Sequence, residues 1–500
     1  MLRRLTLAVP AVALALAACA KPEPAPVAPE PAPAPEPEPA GPPPREYPEP
    51  PAPTAAKQVN FPDYGELVIA NGLKVYVVEN HEVPVVSSVL VVRAGTMDDE
   101  FLAGFTAEMV REGTKKRTKA QFDEAIEGVG GSIGSGASIH TSQMSSTVLK
   151  KDVALALELM ADATINPRLP PESLDKVKDA AVQGLKSSKA QAAVLAQTLF
   201  GMVAYPKDHP YGRPFPTEER IKAVSLDDLK AFHDKFYRSN NAFLILSGDI
   251  TPEEAKPLVE KAFGKWKSID PAQIPPNPLN KFTNYTLPDK LVVHLVDRPA
   301  SAQAEIVVGN LALARNHPDW EKAYLANQVL GADATGRLFM DIREEKGLTY
   351  GIYSSVSTGQ APGTFEIGTS TKTKSAGEML TAIFDHLRRI REEPMPAEDV
   401  ARVQAKITGS FPLQLETADQ IAGKVSETLI YGLPADYYKV YRDKIAAVTP
   451  EDAATAAKKY MHAIPHVVVV GKAKKIEEQI KQALPEATIV KYDTDLNIVK

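Results

Sequence analysis

The 500-residue chain has one cysteine, Cys19. No disulfide can form within it, and no thiolate cluster can hold a metal. A basic surplus is also missing. Lysine and arginine number 57 against 63 aspartates and glutamates, a formal net charge of −6. With no basic run, an ordinary cationic surface for nucleic acid is excluded. The nine histidines are His81, His140, His209, His233, His294, His317, His386, His462 and His466. None stands in His-x-x-Glu-His or His-Glu-x-x-His, the spacings that set two imidazoles and a carboxylate on one helical face around zinc. His462 and His466 are four apart, but Pro465 lies between them at a helix-to-strand boundary. They therefore share no helical face. His209 precedes a proline in a loop, which is a structural setting, and no Ser-His-Asp arrangement is legible. The apolar run from Leu5 to Ala18 is too short and too alanine-rich for a membrane span.

That run has a different use. Arg3 and Arg4 precede it, as in an export signal, and it closes in Leu16-Ala17-Ala18-Cys19. The ending resembles a bacterial lipobox, which implies cleavage before Cys19 and acylation of its sulfur. The plain alternative is a buried cysteine in an ordinary signal peptide. Acyl chains would hold the mature chain at a membrane surface, each buried methylene contributing about 0.8 kcal/mol. Ala20 follows rather than aspartate. By resemblance to Gram-negative lipoproteins, that implies the outer membrane, with the protein facing the periplasm. Residues 19–57 are dominated by proline, alanine and glutamate, with proline recurring at nearly every second place over much of the stretch. Prolines remove backbone donors and fix φ, so neither helix nor sheet forms. This is a semi-stiff tether reaching roughly 100 Å at about 3.1 Å per residue. A proline-rich docking ligand is the alternative, and the interspersed glutamates favour the spacer.

Beyond the tether, 44% apolar and 24% charged residues are those of a globular protein, with length for two or more domains. Glu66–Val78 reads as two strands around the turn Asn71-Gly72. A strand from Ser87, helices over 104–111 and 119–129, and a glycine-rich strand pair through Val148 follow. Next come helices over 151–164, 175–189 and one ending near Tyr205, then a strand over 241–248 and an amphipathic helix over 252–263. Prolines 271 to 278 read as a linker. The second half repeats the order: strands at 290–296 and 304–310, a helix at 319–330, a strand at 363–371, and helices at 375–392 and 397–410. It closes with 426–431, a helix at 450–461, a strand at 467–471 and a helix at 474–484. Near-equal halves in the same order imply a duplicated α+β unit. The domains are a signal peptide (1–18), the tether (19–57), a first domain (58–270), a linker (271–287) and a second domain (288–500).

One stretch of the second half concentrates polar chemistry: GRLFMDIREEKGLTYGIYSS, from Gly336 to Ser355. Leu338, Phe339 and Ile342 fall at helical spacing, Gly347 suits a left-handed helix stop, and alternation from Leu348 predicts a strand. Arg343 and Tyr350 can approach across that turn, offering a guanidinium fork and a phenol to carbonyl oxygens or a carboxylate. The plain reading is a surface arginine paired with Glu344 or Glu345, and a core tyrosine.

NGLKVYVVEN from Asn71, VLVVRAG from Val89, EGTKKRT from Glu112, HPYGRP from His209, LSGDI and the Gly336–Ser355 stretch follow one another in order. In this the chain, over nearly all of 59–500, resembles the insulinase or pitrilysin family of zinc peptidases, in its smaller bacterial branch. The resemblance implies two similar α+β domains facing each other as a clam-like chamber around a peptide. Active members carry His-x-x-Glu-His on the helix before the Glu-Gly-Thr stretch, with a further glutamate downstream. Counted back from EGTKKRT, those places fall on Gly104, Ala107 and Glu108, and the downstream region 175–189 has no glutamate. A single carboxylate without two imidazoles does not hold zinc tightly. In two-subunit members the chain without the motif supplies an arginine and a tyrosine seven residues apart that hold the substrate. Arg343 and Tyr350 match that pair in type, spacing and surroundings.

The resemblance therefore implies a non-catalytic, substrate-binding subunit with no cofactor of its own. It would pair as a heterodimer with a zinc-bearing chain of the same family, whose zinc would cleave the peptide. The contrasting expectation is a peptidase-like scaffold with no proteolytic role. An independent peptidase with an unrecognised site is the third.

Overall fold

The computed structural model describes residues 60–499. The export signal, Cys19 and the tether lie outside the described residues. The first half opens with β1 (Tyr64–Val68) and β2 (Lys74–Glu79), joined at Gly72, whose φ of +85° suits glycine in a tight hairpin. There follow β3 (Val85–Val92), α1 (Leu102–Met109), α2 (Lys119–Glu127), β4 (Ser132–Ala137) and β5 (Ser142–Leu149). Then come α3 (Val153–Ile165), α4 (Pro171–Ala190), α5 (Ala192–Ala204), α6 (Glu218–Ala223), α7 (Leu226–Phe236), β6 (Ala242–Gly248) and α8 (Pro252–Phe263). Capping boxes start several helices: Thr118 with Gln121 on α2, Ser225 with Asp228 on α7, and Thr251 with Glu254 on α8.

The second half runs β7 (Val292–Asp297), β8 (Gln303–Leu311), α9 (Trp320–Leu330), a π-helical turn (Phe339–Glu345), β9 (Ile352–Val356) and β10 (Thr364–Lys372). It continues through α10 (Ala376–Glu392), α11 (Ala397–Ser410), α12 (Ala418–Tyr431), α13 (Tyr437–Ala446) and α14 (Pro450–Tyr460). Last are β11 (His466–Gly471), α15 (Ala473–Ala483), β12 (Thr488–Tyr492) and β13 (Ile498–Val499). The segment expected at 426–431 is the end of the longer α12. The helix α13 and the strands β12 and β13 were not anticipated.

The duplication holds down to strand order. One sheet runs β1-β2-β6-β3-β5-β4, and the other carries β7-β11-β8-β10-β9 in the matching places. In both, the pair made by the first strand and the late one is parallel (β2 with β6, β7 with β11). The two α+β halves are thus present as expected, and β4 and β9 are equivalent edge strands.

Each sheet buries one face under its own helices. Leu90, Val92, Leu244 and Leu246 meet α3 and α8 residues such as Leu157 and Val259. Ile306, Val308, Val467 and Val469 meet Ile383 and Ile476. The opposite faces are covered by exchange between halves. Ile421, Ala422 and Val425 of α12 lie against Val91, Phe243 and Ile245 of the first sheet. Leu195, Leu199 and Phe200 of α5 lie against Val307, Val468 and Val470 of the second. Central strands covered on both sides read as continuous apolar runs, as in Ala242–Gly248, where every residue is buried. Among the described residues no helix is long and apolar enough to cross a membrane.

Between the halves a cleft of about 690 Å³ remains, lined by Gln143, Ser145 and Thr147 of β5 and by Asp419, Ser426 and Tyr431 of α12.

Candidate functional site

Arg343 lies on a turn wound more loosely than the α-helix expected there. The Lys346 N–H donates to the Asp341 carbonyl at 2.9 Å, five residues back, which is the π-helical closure. Two side-chain ties hold it. Asp341 pairs with Lys346, and its Oδ2 lies 2.8 Å from Nε2 of His386, buried on α10. Burial pushes the Asp341 carboxyl up, but the bonds from Lys346 and His386 outweigh it and hold the group below its ordinary range. The Arg343 guanidinium sits 5.2 Å over the Phe339 ring and pairs with Glu344. Gly347 follows at φ +62°, the left-handed stop its residue type implied.

The strand expected from Leu348 begins at Ile352. Threonine hydroxyls of β10 account for the difference, since Thr371 Oγ1 donates to the Leu348 carbonyl at 2.7 Å and Thr369 Oγ1 to that of Gly351 at 2.9 Å. Side chains thus take carbonyls that a backbone ladder would have used. Between these two anchors Tyr350 projects outward, 90% exposed. The plain reading is therefore half right: Arg343 is a surface arginine paired with Glu344, but Tyr350 is not a core tyrosine. No hydrogen bond or ring contact joins Arg343 to Tyr350 among the described residues. They stand on either side of the Gly347 turn, and Met340 and Tyr353 of the same stretch are also exposed. Such a corner offers a charged fork, a phenol and apolar surface to an extended ligand.

The three places that the resemblance assigns to a zinc motif lie on α1, and the residues there do not fit the metal. Gly104 has no side chain and Ala107 no ligating atom. The Ala107 carbonyl accepts a bond from Ser135 Oγ of the neighbouring strand β4 at 2.6 Å. Glu108 is exposed as a residue, but partial desolvation of its carboxyl, followed by repulsion from Glu112, raises it above the ordinary range. A lone carboxylate with no imidazole beside it does not hold zinc tightly. Among the described residues no group of three or more His, Cys, Asp or Glu is placed to share a metal ion.

Three of the histidines singled out by spacing or context have these surroundings. His209 is fully buried, stacks on Tyr205 at 4.7 Å and shares a bond with the Tyr285 hydroxyl at 3.1 Å. His466 starts β11 and faces His294 at 6.2 Å between ring centres, whereas the backbone N–H of His462 donates to Asn310.

Sequence reasoning missed three features. His386 is 45 residues from Asp341, and no local signal links them. The glycines of edge strand β4 were legible, but their consequence was not: nothing stands within 4 Å of where a Cβ on Gly136 would lie. That leaves a small-residue shelf beside α1. The exposure of Met340 and Tyr353 had no signal in the sequence.

Comparisons with known proteins agree with this architecture. Residues 74–208 match the family model described as insulinase (peptidase family M16), and residues 223–407 the model described as peptidase M16 inactive domain. An uncharacterized zinc protease of Streptomyces coelicolor is 24% identical over 379 residues, covering 74% of this chain and 80% of that protein. One from Bacillus subtilis is 24% identical over 357 residues, covering 70% and 84%. Among solved structures, a peptidase M16 inactive domain from Pseudomonas fluorescens superposes with a TM-score of 0.74 at 25% identity, covering 82% of this chain and 98% of that one. A protease from Helicobacter pylori gives 0.73 at 18%, covering 82% and 100%, a likeness of fold.

Proposed function

The chain belongs to the insulinase family, peptidase family M16, and from that premise we propose that it is a non-catalytic subunit that holds peptides for a separate zinc-bearing chain. One observation carries the reading. Tyr350, 90% exposed, and Arg343, 39% exposed at its side chain, stand on either side of the Gly347 turn, while α1 offers one carboxylate where a zinc site needs three ligands. The Arg343 fork and the Tyr350 hydroxyl donate to carbonyl oxygens of an extended peptide. Held at two points, the peptide presents its scissile bond to the partner's metal at a reduced entropic cost. Turning the pair outward suits a substrate shared between two chains.

Acylation at Cys19 would place this pair at the envelope membrane, with the tether setting its reach into the periplasm. Cys19→Ser should move the protein from the membrane fraction to the soluble periplasm or a retained precursor. Fractionation like the wild type would remove the anchor from the proposal.

The deciding experiment is metal analysis and peptide hydrolysis on the purified chain, alone and mixed with a zinc-motif chain encoded beside it. The expected result is no stoichiometric zinc and no hydrolysis alone, with hydrolysis by the mixture exceeding that of the zinc chain by itself. One tightly bound zinc per chain with chelator-sensitive proteolysis overturns it.

A further inference from the structure

A second cavity, of about 360 Å³, opens among α9, α11, α12 and α13. Its size is within the range of small-ligand sites. It shares no residue with the Arg343–Tyr350 corner, so what binds there is independent of that reading.

Its walls are aromatic: Trp320, Tyr324, Tyr438 and Tyr441. Of its four charged lining residues three are cations, Arg315, Lys406 and Lys424, against Glu427 alone. Arg315 is 4% exposed at its side chain and lies between the rings of Trp320 at 4.9 Å and Tyr437 at 4.8 Å. Its Nε donates to Glu427 at 2.9 Å and its Nη1 to the Tyr437 hydroxyl at 3.1 Å. The third nitrogen, Nη2, makes no hydrogen bond among the described residues. Lys424 is 22% exposed, with Nζ 5.0 Å over the Tyr438 ring. The nearest carboxylate to Lys424 is Glu427 at 3.9 Å, which Arg315 already engages.

The charges do not balance. Lys406 pairs with Asp333 at the rim, and Lys444 lies 3.9 Å from Glu321, which also accepts from the Tyr437 hydroxyl. With Arg315 and Lys424 sharing Glu427, one positive charge is left over, and it falls on the least satisfied group, Lys424. Burial pushes the Lys424 ammonium below its ordinary range, against the pull of Glu427. A largely desolvated cation without its own counter-ion is costly unless something anionic completes it.

We propose that this pocket binds a single carboxylate carried on an apolar or aromatic body, with Lys424 and the free edge of Arg315 as anchors. The carboxylate accepts from Lys424 Nζ and Arg315 Nη2, and the attached body lies against Trp320 and Tyr441. One net charge suits a monocarboxylate better than a phosphate dianion. The group can come from the C-terminus of a peptide or from a free aromatic acid. A peptide has an exit, because Thr358 and Glu427 also border the 690 Å³ cleft between the halves.

Trp320 makes the site self-reporting, since the sequence has two tryptophans and the other, Trp266, is buried in the first half's own core. The test titrates the full-length chain with N-acetylphenylalanine and with its amide, followed by tryptophan fluorescence and calorimetry. The acid should saturate with a Kd below about 1 mM, and the amide should bind at least about tenfold more weakly, as loss of a charged hydrogen bond implies. Lys424→Gln should weaken the acid at least about tenfold with an unchanged melting temperature and leave the amide unaffected. A hexapeptide ending in free phenylalanine that binds tighter than the single residue assigns the site to peptide C-termini, and equal affinity assigns it to small acids. Equal binding of acid and amide, an acid Kd above about 1 mM, or indifference to Lys424→Gln overturns the proposal.

Discussion

His386, buried on α10, meets Asp341 of the π-helical turn at 2.8 Å, so the helix layer beneath the second sheet is tied to the element that carries Arg343. The imidazole is pushed down by burial, against the pull of Asp341. The pair fixes a loosely wound turn that backbone bonds alone hold poorly. Asp341→Asn should therefore raise KM for peptide hydrolysis by the assembled pair about two- to tenfold, the scale of one hydrogen bond, with kcat little changed. An unchanged KM beside a lowered melting temperature assigns Asp341 to stability alone.

Acid should loosen the joint between the halves. His140, on the β4–β5 turn, meets the Tyr211 hydroxyl at 3.1 Å, and its buried Nδ1 has no partner. Burial lowers His140 to about 4. His209 is also lowered to about 4, by burial first and then by Arg213. Both folded-state values lie below the unfolded value of about 6.5. Between those limits the unfolded chain binds more protons, so stability is highest above about pH 6.5 and falls toward about pH 4. Melting temperatures across that window should show the decline, with a shallower slope for His140→Gln. Parallel profiles for variant and wild type count against this assignment.

The exchanged helices predict a large core effect far from the candidate site. Phe200 of α5 reaches across to Gly309 of β8, where a Cβ would stand 3.0 Å from its ring and 2.2 Å from the Phe365 carbonyl oxygen. Phe200→Ala should cost about 3–5 kcal/mol as a buried cavity, read by denaturant unfolding. A loss below about 1 kcal/mol shows that the contact between halves collapses freely around the missing ring.

Much of this was legible in the sequence where local chemistry decides. The Asn71-Gly72 hairpin, the Gly347 stop and the bounds of α8 and α11 follow from turn residues, caps and apolar spacing. What was not legible depends on partners distant in the chain. The spacing of Leu195, Leu199 and Phe200 declares a buried face, but not that the other half's sheet covers it. The π-helical winding answers to His386, and the late start of β9 to Thr369 and Thr371. Leucine and tyrosine alternation predicts a strand from Leu348 whether or not threonine hydroxyls claim its carbonyls first. That Gly104 has no side chain and Ala107 no ligating atom follows from residue type alone and needs no tertiary context.

The sharpest test of the candidate site is the pair of changes Arg343→Ala and Tyr350→Phe. At 90% exposure Tyr350 supports no core, and its hydroxyl makes no hydrogen bond among the described residues. Tyr350→Phe thus removes only an atom that a ligand could use. Arg343 contributes a half-exposed pair with Glu344 and a contact with Phe339, interactions worth little at a surface. Both variants should melt within a few degrees of the wild type, as surface changes do. Against peptide, a charged hydrogen bond is worth about 1.5–3 kcal/mol and a neutral one about 0.5–1.5 kcal/mol. The assembled pair should then lose about ten- to a hundredfold in kcat/KM for Arg343→Ala and severalfold for Tyr350→Phe. Melting temperature, assembly and kcat/KM measured on the same preparations separate holding substrate from holding the fold. Hydrolysis unchanged in both variants, with assembly intact, removes the pair from substrate binding and favours a scaffold without a proteolytic role.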